Sequence, residues 1–100
     1  MIVVLFRSKL TAAAGEDYAE TAQALKEPAR KYDGFVDIKS FTAEDGERLT
    51  VVRWKDLETL KPWRDDAKHM AANAMGRQRW YEYYNIEIAT IVDQRSFART

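Results

Sequence analysis

The sequence predicts an α+β domain in which a four-stranded antiparallel sheet carries helices on one face. Two alternating runs, Phe35 to Thr42 and Leu49 to Trp54, flank Glu44-Asp45-Gly46-Glu47, and the Asp-Gly pair accepts the positive φ that a tight hairpin connection demands. Strand-period segments at the start and end of the chain bracket two segments with helical periodicity. Strict alternation puts Val36 and Ile38 on one side of the hairpin and Phe35 and Phe41 on the other, so both sides carry apolar groups that must be covered. Helices of the same chain cover one side, and a second copy is expected to cover the other.

The first strand, Ile2 to Leu10, sets Ile2, Val4 and Phe6 against Val3 and Leu5 and turns polar at Arg7. Apolar residues on both sides predict a central position in the sheet. From Glu16 to Tyr32, the residues Tyr18, Ala22, Leu25, Ala29 and Tyr32 recur at helical spacing, and Pro28 predicts a kink or an early end. Asp33-Gly34 then turns the chain into the hairpin. After Trp54, Asp56 is expected to cap a short helix from Leu57 to Leu60 that Pro62 ends, and Asp65-Asp66 offers a fresh cap. A second long helix is expected from Ala67 to about Trp80, with Met70, Ala71, Ala74 and Met75 as its apolar stripe. The last strand is read as Tyr83 to Val92, which gives a domain over residues 1–93 and a tail over 94–100. Strand, helix, strand, strand, helices, strand, joined by right-handed crossovers, is the ferredoxin-like arrangement with its helices on one face. An apolar reverse face would be covered by a two-fold mate.

A chain of 100 residues has room for one small core. Sixteen basic residues balance sixteen acidic ones, so no net field favours nucleic acid or an anionic membrane. The absence of cysteine removes thiolate and zinc-thiolate chemistry and is compatible with a cytoplasmic protein. The opening MIVVLFRSKL is too short an apolar run for a membrane span and has no basic leader, so it reads as a strand. Asp65-Asp66 and the Glu-Asp loop read as a cap and a turn, and no metal ligand set is expected.

The chain resembles the antibiotic biosynthesis monooxygenase family of dimeric α+β barrels over nearly its whole length. Carrying the resemblance are Gly34-Phe35, Lys39-Ser40-Phe41-Thr42, Glu44 to Arg48, Trp54, Trp63-Arg64, His69 and Gly76-Arg77. It implies a homodimer and a cavity between sheet and helices in which a flat, electron-rich aromatic or quinol-type compound meets dioxygen, with no metal or flavin required. It also implies a base or polar pair that helps the substrate become a carbanion able to reduce dioxygen. In the haem-degrading branch of the family, a histidine stands where Asn73 lies here and an asparagine near Phe6. Neither is retained, so haem is not an expected ligand.

The catalytic candidates are His69, Trp63 and Asn73. His69 is the only histidine and titrates near neutrality, so it can accept a substrate proton; the competing role is a helix-surface histidine bonded to the preceding loop. Trp63 would close the cavity mouth and donate its indole N–H, or else pack in the core. Asn73 is one turn from His69 and shares its side of the helix, unless it is solvent-facing. Phe6, Phe41, Trp54, Met70 and Tyr84 are the candidate substrate contacts. If Tyr84 and Ile86 face the helices, Glu87 faces the reverse side and needs Arg7, Arg53 or a second subunit as partner. Competing with an enzyme is a non-catalytic dimeric small-molecule binding module or a stress-related structural dimer.

Overall fold

The computed structural model of the chain describes residues 1–12, 30–65 and 79–99. Four strands form one antiparallel sheet: β1 (Ile2–Leu10), β2 (Phe35–Thr42), β3 (Arg48–Trp54) and β4 (Tyr81–Thr90), with spatial order β2-β3-β1-β4. β1 is internal, as its two apolar sides demand. One short helix, α1 (Leu57–Arg64), follows β3. The predicted long helices, residues 16–32 and 67–80, fall mostly outside the described residues.

Register divides the sheet residues between two faces. Ile2 opposes Trp54, Val4 opposes Val52, and Phe6 opposes Thr50 on β3 and Ile86 on β4. These residues share the face on which α1 packs. Ile2, Val4, Val52, Trp54 and Leu60 of α1 form the buried core, flanked by Tyr32, Phe35, Ile38 and Trp63. Each buried aliphatic side chain contributes about 1.5–3 kcal/mol of transfer free energy.

Two β-bulges alter the predicted alternation. In β2 the register shifts between Phe35 and Asp37, so Val36 is the extra residue and Phe35 falls on the same face as Ile38. The expectation that Phe35 and Phe41 share a side is therefore corrected: Phe35 joins the core, whereas Phe41 stands half-exposed on the reverse face. In β4 the shift falls where Lys9 opposes Tyr83 and Leu10 opposes Tyr81. Glu82 is the extra residue there, and Tyr81 turns to the face that carries Tyr84. The strand thus begins two residues earlier than predicted and ends at Thr90. A bulge changes side-chain parity at the cost of one unpaired residue, and strict alternation cannot anticipate it.

Asp56 caps α1 as expected, its Oδ1 accepting from the Thr59 N–H at 2.9 Å. The helix does not end at Leu60 but continues through Pro62 to Arg64. Pro62 cannot donate toward Glu58, yet Asp65 N–H bonds Lys61 O at 2.9 Å and carries the turn past it. Asp65 is the C-cap of this helix, and the expected start of the next helix lies outside the described residues. Gly34 has φ +87°, a left-handed value, and a Cβ there would overlap the Thr59 side chain. Its carbonyl accepts from Lys55 N–H at 2.7 Å and ties the start of β2 to the end of β3. Among the described residues, no helix is long and apolar enough to cross a membrane.

Candidate active site on the helix side of the sheet

Trp54 ends β3 on the helix side and is completely buried. Its ring centroid lies 5.8 Å from Phe35 and 6.5 Å from Tyr32, both edge-on, and 5.4 Å from Trp63 of α1, tilted by 35°. Edge-to-face and tilted contacts of this kind suit the ring quadrupoles. Among the described residues, the Trp54 indole Nε1–H has no hydrogen-bond acceptor. An unmade bond at such depth costs about 1–3 kcal/mol, which an acceptor atom brought to the site would recover.

A second aromatic group lies further along the same face. Phe6 meets Tyr81 edge-on at 5.6 Å and Tyr84 at 5.7 Å, and the two tyrosines meet each other at 5.7 Å. Ser8, opposite Tyr84, is buried beside them. Phe6 is four residues along β1 from Ile2, the partner of Trp54, so the groups stand about 13 Å apart at ~3.3 Å per residue. Val4 and Val52 floor the space between them. Ile86 and Ile88 on β4 continue that floor and are 42% and 39% exposed.

Of the sequence-predicted site residues, Trp63 and Trp54 come together, as do Phe6 and Tyr84. Phe41 does not join them. It pairs with Leu49 on the reverse face, is 50% exposed, and carries Lys39 Nζ 5.7 Å from its ring centre. The pleat removes it from a helix-side cavity. His69, Asn73 and Met70 lie outside the described residues. Tyr32, Phe35, Tyr81 and Ser8 were not among the site residues expected from the sequence. For Phe35 a signal existed: simple alternation gives it the parity of Asp37 and Lys39, an unfavourable grouping that a bulge relieves.

The reverse face holds a different chemistry. Glu47 Oε1 accepts from Arg7 Nε and a terminal guanidinium nitrogen at 3.1 and 3.0 Å, while Glu47 Oε2 accepts from the Tyr83 hydroxyl at 2.6 Å. The Tyr83 bond, then the Arg7 bond, holds the Glu47 carboxyl below its ordinary range, and the same carboxylate raises Tyr83 and Arg7. Glu87 stands on this face as expected and accepts from Asn85 Nδ2 at 3.0 Å. Arg7 is committed to Glu47, and Arg53 lies 4.0 Å from Asp37. The expected greasy reverse face is therefore corrected to a half-buried centre of Val3, Leu5, Leu49 and Val51 framed by charged residues. Charges on alternate positions of the outer strands supply that frame. Among the described residues, no three metal-ligating side chains converge.

This fold, an antiparallel sheet with a buried aromatic site on its helix side, defines a class of small α+β domains. Residues 1–75 match the antibiotic biosynthesis monooxygenase family. The chain belongs to that family. It is 35% identical over 80 residues to the uncharacterized protein YqjZ of Bacillus subtilis, covering 80% of this chain and 70% of that one. It is 27% identical over 94 residues to the jasmonate monooxygenase ABM of Pyricularia oryzae, covering 91% of this chain but spanning only 43% of the fungal protein. Among solved structures, Rv0793 from Mycobacterium tuberculosis superposes with a TM-score of 0.80 at 18% identity, over 95% of this chain and 98% of that one. SnoaB, a cofactor-independent oxygenase from Streptomyces nogalater, superposes at 0.76 and 10% identity, over 93% and 94% of the two chains. At these identities the structural likeness concerns the fold.

Proposed function

We propose that the chain is a cytoplasmic, homodimeric, cofactor-independent monooxygenase that oxidises a small aromatic or quinol-type compound with dioxygen between sheet and helices. The observation that carries this reading is the completely buried Trp54, whose indole N–H has no acceptor among the described residues and whose neighbours are aromatic rings. Such a setting favours a flat ring bearing a carbonyl or phenolic oxygen. The family resemblance supports dioxygen as the second reactant.

For an anthrone-type substrate, a base removes a proton from the ring methylene and leaves a stabilised carbanion. That carbanion transfers one electron to dioxygen, and recombination forms a carbon–oxygen bond to a hydroperoxide. Loss of water then leaves a quinone, with one oxygen atom retained and the other released as water. His69 is assigned the base, Asn73 its hydrogen-bonding partner, and Trp63 the donor that orients the substrate oxygen. The Trp54 indole N–H meets an oxygen of the bound ring, Phe6, Met70 and Tyr84 supply apolar contact, and exclusion of bulk water protects the carbanion.

A second reading is a binding module without turnover. It is favoured by one observation: among the described residues, the groups with displaced protonation equilibria lie on the reverse face or at the α1 cap, not beside Trp54. Oxygen uptake and quinone absorbance with a panel of hydroquinones and anthrones separates the two. Turnover that falls at least ~100-fold in His69→Ala, as expected for a lost general base, supports the enzyme. Turnover unchanged in the His69, Trp63 and Asn73 alanine variants removes those assignments. Saturable binding without oxygen uptake establishes the module instead.

A further inference from the structure

β3 begins at Arg48, which opposes Ser8 of β1 and Thr42 of β2. Two residues before Thr50, it has the helix-side parity of Thr50, Val52 and Trp54. Among the described residues of the sheet, Arg48 is the one charged residue with that parity. Arg7, Lys9, Asp37, Lys39, Arg53 and Glu87 fall on the reverse side, and Glu82 is the extra residue of the β4 bulge. Arg48 is half-buried, and its cross-strand neighbour Ser8 is buried.

The helix-side floor therefore changes along its length. Toward α1 it is Trp54 and the aliphatic pair Val4 and Val52; toward the β2–β3 hairpin it is hydroxyls and a cation. Ser40 Oγ and Thr50 Oγ1 stand 3.0 Å apart in the row of Phe6, and the next row holds Thr42, Arg48, Ser8 and Tyr84. Arg48 is the diagonal neighbour of Phe6, roughly 7–8 Å away and within reach of a long side chain. A ring held by Phe6, Tyr81 and Tyr84 thus has a guanidinium close by. An anion in an apolar site is costly unless it is paired, and a guanidinium fork offers a carboxylate two parallel N–H donors. Arg48 also has contacts within the chain, and with five N–H donors it keeps others for a ligand.

We propose that the helix-side site takes an aromatic carboxylate, its acid group held by Arg48 at the hairpin end and its ring lying over Phe6 toward Trp54. This rests on the aromatic site of the functional reading and adds to it the charge of the ligand and the direction in which it lies. Trp54 and Arg48 are six residues apart on β3, about 20 Å between backbones at ~3.3 Å per residue. Their long side chains narrow that span, so a fused ring with oxygen at both ends can address the indole N–H with one end and the guanidinium with the other. The reverse orientation would put the carboxylate among Trp54, Phe35 and Trp63, where the described residues offer an aromatic wall and no cation.

The test is isothermal titration calorimetry of the full chain at neutral pH with 6-hydroxy-2-naphthoate and its neutral counterpart 6-hydroxy-2-naphthamide. Wild type is expected to bind the acid ~10-fold or more tightly than the amide, as a charge-assisted pair requires. Arg48→Gln is expected to bring the two within ~3-fold of each other by weakening the acid alone, and Arg48→Glu to reverse the order. Amide binding that persists in these variants shows that they are folded with the aromatic site intact. Arg53→Gln removes a cation from the reverse face and is expected to leave the preference as it is. Acid that binds wild type no better than amide overturns the carboxylate end and leaves the aromatic site standing, a comparison that needs no variant. A preference that survives Arg48→Gln, or that Arg53→Gln abolishes, overturns the assignment to Arg48. Binding of neither probe overturns the aromatic site together with its charged end.

Discussion

Trp54 shows how one atom can assign a task to a residue. Its rings of contact explain its burial, but the indole N–H is left without an acceptor among the described residues. Trp54→Phe keeps an aromatic ring and removes the donor. Binding of 1-naphthol is expected to weaken ~10-fold, the equivalent of one hydrogen bond of about 1.4 kcal/mol, whereas naphthalene binding changes little; nuclear magnetic resonance titration of both probes measures the difference. Gly34 is constrained by backbone and neighbour together. With φ +87° and Thr59 in the space a Cβ would take, Gly34→Ala is expected to cost about 2–4 kcal/mol in urea unfolding. At Glu47 the consequence is a pH dependence. Its folded-state pKa is depressed by Tyr83 and Arg7, so its contribution to stability is complete above the unfolded carboxylate value and is lost as pH falls through the depressed one. Tyr83 is raised, so its contribution is complete below the unfolded phenol value and is lost as pH rises through the raised one. Glu47→Gln is expected to flatten the melting temperature in both the acid and the alkaline window, and thermal melts from pH 3 to pH 11 would reveal a failure in either.

At the scale of elements, the two bulges and the proline decide what alternation and propensity leave open. Strand identity was legible because Phe35 to Thr42 and Leu49 to Trp54 alternate around an Asp-Gly turn. Side-chain parity at Phe35 and Tyr81 was not legible, because one inserted residue in each strand exchanges the two faces. Both insertions turn an aromatic ring toward the helix side, where Phe35 reaches Trp54 and Tyr81 reaches Phe6. Pro62 was read as a stop, yet α1 contains it, because the burial of Leu60 and the contact of Trp63 with Trp54 hold the turn against a missing donor. Pro62→Ala restores a donor toward Glu58 and is expected to stabilise the fold by about 1 kcal/mol after the entropy released in the unfolded chain is set against it. Chemical denaturation decides this, and a loss of stability would mean that the proline ring packs where alanine cannot.

On the scale of the molecule, the sheet separates two environments. The helix side is aromatic and aliphatic, with buried Ile2, Val4, Val52 and Trp54. The reverse side carries charge around a narrow aliphatic centre. Val51→Asp sets a carboxylate in that centre and is expected to yield a folded monomer, its sedimentation coefficient falling to the single-chain value while its circular dichroism stays that of wild type. A dimer that survives this change would show that the two copies meet elsewhere.

By itself the sequence determined the four strands, their turns, the α1 cap at Asp56 and the internal place of β1, because each depends on spacing and local chemistry within a few residues. It also carried the family resemblance, since the motif residues are there to be matched. Tertiary structure alone decided which aromatic rings meet, which indole donor is left over among the described residues and how Glu47 joins Arg7 and Tyr83 across three segments. Those outcomes depend on register between distant strands, and a shift of one residue reverses them without altering any local preference.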